Sequence, residues 1–288
     1  MKFWKLLAAA AALGPGQAWG QEQCFAPEWR KVSDPVAGAT YDMASEPTRS
    51  YFISADTGLP SASTTEMGRE GDEVRGRCSS FSATVMNLGD KHIADPKGFF
   101  DADQARAIAG LQEGKIVSSR SLTVGGYPAR EYQYSFTVDY LLTPARHKVL
   151  LVARDNQLLT FTSVWGDAGP PPADSDRSFA SIRLTQAGDP SHMASFGMLQ
   201  ETILFYWMFP SPGDRVGIHF TPALRARLDA TRTADGAAMR AFGHPREIQF
   251  LRQAGTSKVI RIQHDAAVVD WTITDDGKAI SAISWEKR

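Results

Sequence analysis

Residues 127–165 read YPAREYQYSFTVDYLLTPARHKVLLVARDNQLLTFTSVW. Within them Tyr132, Tyr134, Phe136, Val138 and Tyr140 alternate with Glu131, Gln133, Ser135, Thr137 and Asp139, an unbroken period of two. Successive side chains of a strand point to opposite faces, so this run predicts one strand with a buried aromatic face and a wet polar face, the antiparallel case. His147–Ala153 and Leu158–Trp165 continue as two more strands joined at Arg154-Asp155-Asn156-Gln157. Gly125-Gly126-Tyr127-Pro128 turns the chain in from a strand ending at Val124. An antiparallel meander is the centre of the expected fold.

Working upstream, Phe81, Ala83, Val85 and Asn87 alternate with Ser82, Thr84, Met86 and Leu88 as a further strand. Asp101 is expected to cap a helix over 102–113, with Ala105, Ile108, Ala109 and Leu111 at helical spacing and Gly114 as its exit. Downstream, the loop GDAGPPPADSD leads into a short helix near Ser178–Ile182. Its three prolines have no basic neighbour and are read as a strand-to-helix loop.

The phrases VGGYPAREYQYSF, VLLVARDNQLLTFTSVW and SFASIRL together resemble the PsbP-like fold family over about residues 25–185. The resemblance implies an antiparallel sheet sandwiched by helices, with Phe179 and Ile182 of the last helix returning over the sheet. It implies an accessory, protein-binding role and carries no active-site residue.

The small polar stretch TQAGDPSHMAS separates two hydrophobic patterns, so a linker is expected at 186–195 between a domain of residues 21–185 and one of residues 196–288. In the second, Phe196, Leu199, Ile203, Tyr206 and Trp207 recur at helical spacing up to Pro210. A second helix is expected from Thr221-Pro222 using Leu224 and Leu228, and a short third holds Met239 and Phe242 before Gly243. Four strands follow at 247–253, 258–264, 267–274 and 278–285, with Asp276-Gly277 as a hairpin turn. MRAFGHPREIQFLRQAG and KVIRIQHDAAVVDWTITDDGKAISAISWEKR resemble the nuclear transport factor 2-like (SnoaL or cystatin-like) superfamily, through Phe242, Gly243, Trp271, Asp276, Gly277, Lys278 and Ile280. The expected fold class is therefore α+β: an antiparallel-sheet α/β/α sandwich, PsbP-like, followed by a cone of helices and a curved antiparallel sheet.

Residues 1–20, MKFWKLLAAAAALGPGQAWG, have the form of a secretory signal peptide: Lys2 and Lys5, an apolar run from Leu6 to Leu13, and Ala18 and Gly20 as small residues before cleavage after Gly20. That run is far short of the roughly 20 residues a membrane span needs, and no membrane span is expected. Cleavage leaves 268 residues carrying 29 basic against 32 acidic side chains, a charge of −3. Such a balance gives no electrostatic footprint for nucleic acid. Export to an oxidising space predicts that Cys24 and Cys78, the two cysteines, form one disulfide closing a loop of about 55 residues, worth roughly 4 kcal/mol in the chain-entropy model.

Chemistry is sparse. The six histidines, at 92, 147, 192, 219, 244 and 264, lack metal-ligand spacing, and no nucleophile elbow, phosphate loop or dinucleotide fingerprint occurs. No catalytic residue, metal or cofactor is expected. Tyr206, Trp207, His264 and Trp271 are the candidate pocket lining of the cone, with Trp271 read chiefly as core and Asp270 facing the other way. The leading expectation is an exported, periplasmic or secreted, non-enzymatic protein that binds another envelope or secreted protein. Two alternatives stand beside it: a binder of a small apolar ligand, or an enzyme, using the cone pocket, and an immunity or inhibitor protein for a periplasmic toxin.

Overall fold

The computed structural model describes residues 27–54, 57–66, 79–138, 143–166, 171–203, 220–243, 245–276 and 278–288. The expected signal peptide, the pair Cys24 and Cys78, and Tyr206 and Trp207 lie outside the described residues. In chain order the elements are β1 (Arg30–Asp34), β2 (Ala39–Met43), β3 (Pro47–Ile53), β4 (Pro60–Glu66), β5 (Ser80–Asn87), α1 (Pro96–Ile108), β6 (Gln112–Val124), β7 (Tyr127–Val138), β8 (Thr143–Arg154) and β9 (Gln157–Gly166). They continue with α2 (Ala173–Ser181), β10 (Arg183–Leu184), α3 (Met193–Glu201), α4 (Pro222–Phe242), β11 (Pro245–Ala254), β12 (Ser257–His264), β13 (Val268–Asp275) and β14 (Ile280–Lys287). The chain divides into two compact units, one of residues up to Pro47 together with Thr64–Gly188, the other of Thr48–Ser63 together with Asp189–Arg288.

In the first unit β5, β9, β8, β7 and β6 lie side by side in that order, every resolved pairing antiparallel. The pleat sorts their side chains onto two faces. On one, Tyr132 and Tyr134 of β7 stand opposite Val149 and His147 of β8, and Phe100 of α1 is buried among Tyr132, Tyr134, Val149 and Leu151. On the other, Phe81 of β5, Phe161 of β9, Phe179 of α2 and Tyr41 of β2 meet ring to ring at centroid separations of 5.6–6.4 Å. Pairs of this kind add about 0.5–1.5 kcal/mol each beyond the area they bury.

Arg154, fully buried at the end of β8, ties this second face to the start of the chain. Its guanidinium donates to the carbonyls of Gly38 at 3.0 Å and Ala37, and to the Gln157 side chain. Asp34 fixes the same turn, accepting from the backbone of Val36 and Ala37 at 3.0 and 2.9 Å and from the hydroxyls of Tyr41 and Thr64 at 2.9 and 2.8 Å. Gly38 completes it with φ +54°; a Cβ there would sit 2.1 Å from the Gln186 carbonyl oxygen, so only glycine fits.

The expected α/β/α sandwich with a cone needs correction in both halves. The first unit's second face is covered by a small antiparallel sheet, β1-β2-β10, alongside α2, so helices do not sandwich the large sheet. With this sheet, strands take 52% and helices 24% of the described residues. Helix α1 also begins earlier than expected. Asp95 caps it, its carboxylate accepting from Gly98 N at 3.0 Å, with Pro96 at the first position; Asp101 is a mid-helix residue.

The second unit is a four-stranded antiparallel meander, β11-β12-β13-β14, with α3, α4 and a hairpin from residues 48–63, and it is not a helix-plus-cone domain. The two helices expected between 221 and 243 are one of 21 residues. The stretch ATRTADGAA reads polar, but its alanines favour helix, and Gly236 is buried within it. Thr221 caps this helix and Gly243, at φ +81°, ends it. The hairpin belongs here because α3 lies on its backbone: a Cβ on Gly197 would come within 3.0 Å of the Phe52 carbonyl carbon. Beside that contact Tyr51 N donates to Gln200 Oε1 at 2.7 Å, and Tyr51 and Phe196 meet edge to face at 4.9 Å.

Candidate functional site

His264 and Trp271, the described members of the expected pocket lining, do share a sheet face. Ile260 stands opposite Trp271 and Ile262 opposite Val269, so Ile260, Ile262, His264, Val269, Trp271 and Ile273 project the same way. All are at most 1% exposed, so the face is filled by its own side chains. The His264 ring shares a hydrogen bond at 2.9 Å between Nδ1 and the Gly243 carbonyl, and its edge meets Phe242. Burial lowers its pKa and keeps it neutral. Asp270 lies on the opposite face, as alternation predicts, gripped by Arg261 through two bonds of 2.7 and 2.9 Å and by Arg288 at 2.7 Å. Hydrogen bonding by Arg261 first, then Arg288, holds its pKa down to about 2.

One constellation in the second unit has the residue types of nucleophilic chemistry. Lys258 Nζ donates to Ser195 Oγ at 2.7 Å and to Asp275 Oδ1 at 2.9 Å. A lysine that deprotonates a serine must itself be neutral. Here Lys258 is held at 2.9 Å by the fully buried Asp275 carboxylate, and Ser195 is 1% exposed and closed to substrate. The trio is a buried ion pair that pins α3 to the β12 and β13 strands.

In the first unit the polar groups of the aromatic face are equally internal. The Tyr132 hydroxyl donates to Asp103 Oδ2 at 2.9 Å, and burial raises the Asp103 carboxyl above its ordinary value against that bond. Tyr134 OH and His147 Nδ1 share a short hydrogen bond; burial drives the His147 pKa down to about 4 and pushes the Tyr134 phenol up. Among the described residues no group of three or more His, Cys, Asp or Glu could hold a metal, and no helix is long and apolar enough to cross a membrane.

What is open to solvent lies nearby. A cleft of about 310 Å³ sits where the first turn of α1 meets the β6–β7 hairpin. Pro96, Lys97 and Phe100 line it from the helix, Ser121, Leu122 and Thr123 from β6, and Pro128, Ala129 and Arg130 from β7. Arg130 pairs with Asp101 at 2.9 Å and reaches Ser119 and Gln104 at 3.3 and 3.4 Å. The strand that borders the cleft, β6, is the edge of its sheet and is mostly exposed. None of these residues stands out in the sequence as a site. The available signal is the small-residue alternation of Ser119, Ser121 and Thr123, which leaves room beside a helix.

No family profile and no curated protein matches the chain. Solved structures do resemble it. Cyanobacterial PsbP (CyanoP) from Synechocystis is 13% identical, covering 59% of this chain and 99% of its own, at a TM-score of 0.37. The Saccharomyces cerevisiae Ran-binding protein Mog1p is 9% identical over 56% of this chain and 97% of its own, at 0.34. LpqN, involved in cell envelope biogenesis of Mycobacterium tuberculosis, is 13% identical over 55% and 91%, also at 0.34. Likenesses at this level assign no function.

Proposed function

We propose that this chain is an exported, non-enzymatic accessory protein that works by binding another protein of the envelope or secreted space. The observation that carries the reading is a contrast within the described residues. Groups with catalytic potential are spent internally: Ser195 and Lys258 on Asp275, His147 on Tyr134, His264 on a backbone carbonyl. A long sheet edge, β6, stands exposed. Unpaired strand edges attract other chains and are normally blunted, so one left open fits a partner that covers it. The signal-peptide form of residues 1–20 supports export.

The test is photo-crosslinking in the native host, with the reactive group placed at Val117 on β6 or, as the control, at Lys31 on β1. A single reproducible adduct with another envelope protein, from Val117 and not from Lys31, is the expected result. Absence of any adduct from either position, with the chain recovered alone, overturns the reading. N-terminal sequencing of the exported form, beginning at Gln21, checks the address.

A further inference from the structure

We propose that the partner presents an extended segment bearing a carboxylate, which adds as a strand to β6 between Ser118 and Val124 and places its acidic side chain in the cleft beneath α1. This deepens the protein-binding reading and rests on it.

Three observations converge. The first is the state of the edge. Register shifts between Gln112 and Lys115 and between Ile116 and Ser118 interrupt the first half of β6, the bulge device that protects an edge from pairing. From Ser118 to Val124 the pairing with β7 runs without a shift and contains no proline. Its one charge, Arg120, is matched by Glu131 at 2.9 Å. Among the described residues no strand lies on the outer side of that half, a template of seven residues about 20 Å long.

The second is the shape beside it. Ser119, Ser121 and Thr123 stand opposite Tyr132, Arg130 and Pro128, so they project toward the face that α1 covers. All three are small. An added strand would find a groove between the edge and the helix, and alternate side chains of that strand would drop into it, the geometry of strand addition with side-chain pockets.

The third is charge. Lys97 and Arg130 line the cleft with one acid, Asp101, between them, bonded to Lys97 at 2.7 Å and Arg130 at 2.9 Å. Two cations share one anion. Arg130 is 8% exposed, and its Nε is buried with no hydrogen-bond partner. The cleft lies at the N-terminal end of a 13-residue helix, where the acid of the end itself is the N-cap Asp95, bonded to Gly98 N, and the first turn adds none. Phe100 and Pro128 supply an apolar floor for the carbon chain that carries the carboxylate.

The experiment titrates isotope-labelled mature protein with a capped heptapeptide, TVTETVT, and with its glutamine analogue TVTQTVT, reading amide shifts by NMR. The expected result is millimolar binding of the glutamate peptide, with shifts at Ser118–Val124 and Lys97–Phe100. The glutamine peptide and the Lys97→Glu protein should each weaken it about fivefold, the worth of one partly exposed charge pair. A Lys31→Glu control should change nothing. Shifts confined to other surfaces, no shifts on β6, or equal binding of both peptides overturns the proposal. A crosslinked envelope partner mapping elsewhere would leave the protein-binding reading standing while this site falls.

Discussion

One face of the first unit's sheet and the sheet of the second unit solve the same problem by different means. Each buries polar side chains beside large aromatic or aliphatic surfaces, and a buried polar group is costly unless it is paired. The first unit pairs neutral groups on its aromatic face: Tyr134 with His147, whose pKa near 4 keeps it uncharged. The second pairs full charges, Lys258 with Asp275 and Arg261 and Arg288 with Asp270. Neutral pairing ties a unit to the pH at which its histidine stays neutral; ionic pairing makes it intolerant of losing one partner.

The largest expected effect follows from that intolerance. Asp275→Ala strands the Lys258 ammonium, 12% exposed, and removing one member of a buried pair costs about 3–5 kcal/mol. The double variant Asp275→Leu with Lys258→Met should recover most of the loss. Urea unfolding followed by tryptophan fluorescence checks both; an Asp275→Ala protein as stable as the parent would mean the pair is already solvated.

Acid should separate the two kinds of pair. His147 is depressed in the folded state, from 6.5 to about 4, so the unfolded chain takes up a proton first as pH falls. Stability is full above pH 6.5 and declines between 6.5 and 4, by roughly 3 kcal/mol at about 1.4 kcal/mol per unit of pKa shift. Asp270 is depressed from 3.8 to about 2, so its own contribution persists above pH 3.8 and is lost only as pH falls from there toward 2. Acid titration should therefore weaken the His147 pair before the Asp270 pair, while His264, lowered by burial in the second unit, adds its own loss as pH falls below 6.5. His147→Gln should flatten the dependence between pH 6.5 and 4, while both proteins behave alike below it. A single transition below pH 4 in the parent would break the contrast.

The units also differed in how far they could be read from sequence. The β7–β8–β9 meander was legible because each strand is long and its alternation or apolar run unmistakable, and the register of Ala153 to Leu158 follows from the short turn at Arg154–Gln157. The strands β1 to β4 were not, because segments such as ATYDM and PSASTTE are short and rich in Thr and Ser, and their burial comes from distant partners. Tyr41, for one, is buried by Phe81 and Phe161, forty or more residues away. In the second unit, strand positions fell within a few residues, yet the cone did not form: no local pattern says that residues 48–63 join that unit or that α4 runs unbroken. The cleft was invisible for a related reason. Arg130 and Lys97 are ordinary surface-type residues in sequence, and only pairing Ser121 with Arg130 across the hairpin brings them to one place.

A smaller effect probes the aromatic face directly. Tyr132→Phe removes one hydrogen bond to Asp103 and keeps the ring, for a loss of about 1 kcal/mol. The sign at Asp103 sharpens the comparison. Burial raises its carboxyl while Tyr132 opposes the rise, so the variant should lift the Asp103 pKa further and make the protonated acid easier to hold. The cost of Tyr132→Phe should then shrink as pH falls toward 4. In the ionic unit the corresponding change, Arg261→Gln beside Asp270, should keep a constant cost over the same range, because Asp270 stays ionised until far lower pH.

Lys97→Glu should have the smallest effect. The side chain is 80% exposed, and its bond to Asp101 joins residues four apart on a helix surface. Pairs so placed are screened by water, and the lysine sits at the helix end where positive charge is unfavourable. Losing the bond and removing that misplaced charge oppose each other, so the unfolding midpoint should stay within error of the parent. If it does, any loss of acidic-peptide binding in this variant reports on the cleft and not on the fold. A midpoint that drops as far as Tyr132→Phe would instead make Lys97 part of the structure that holds α1 on its sheet.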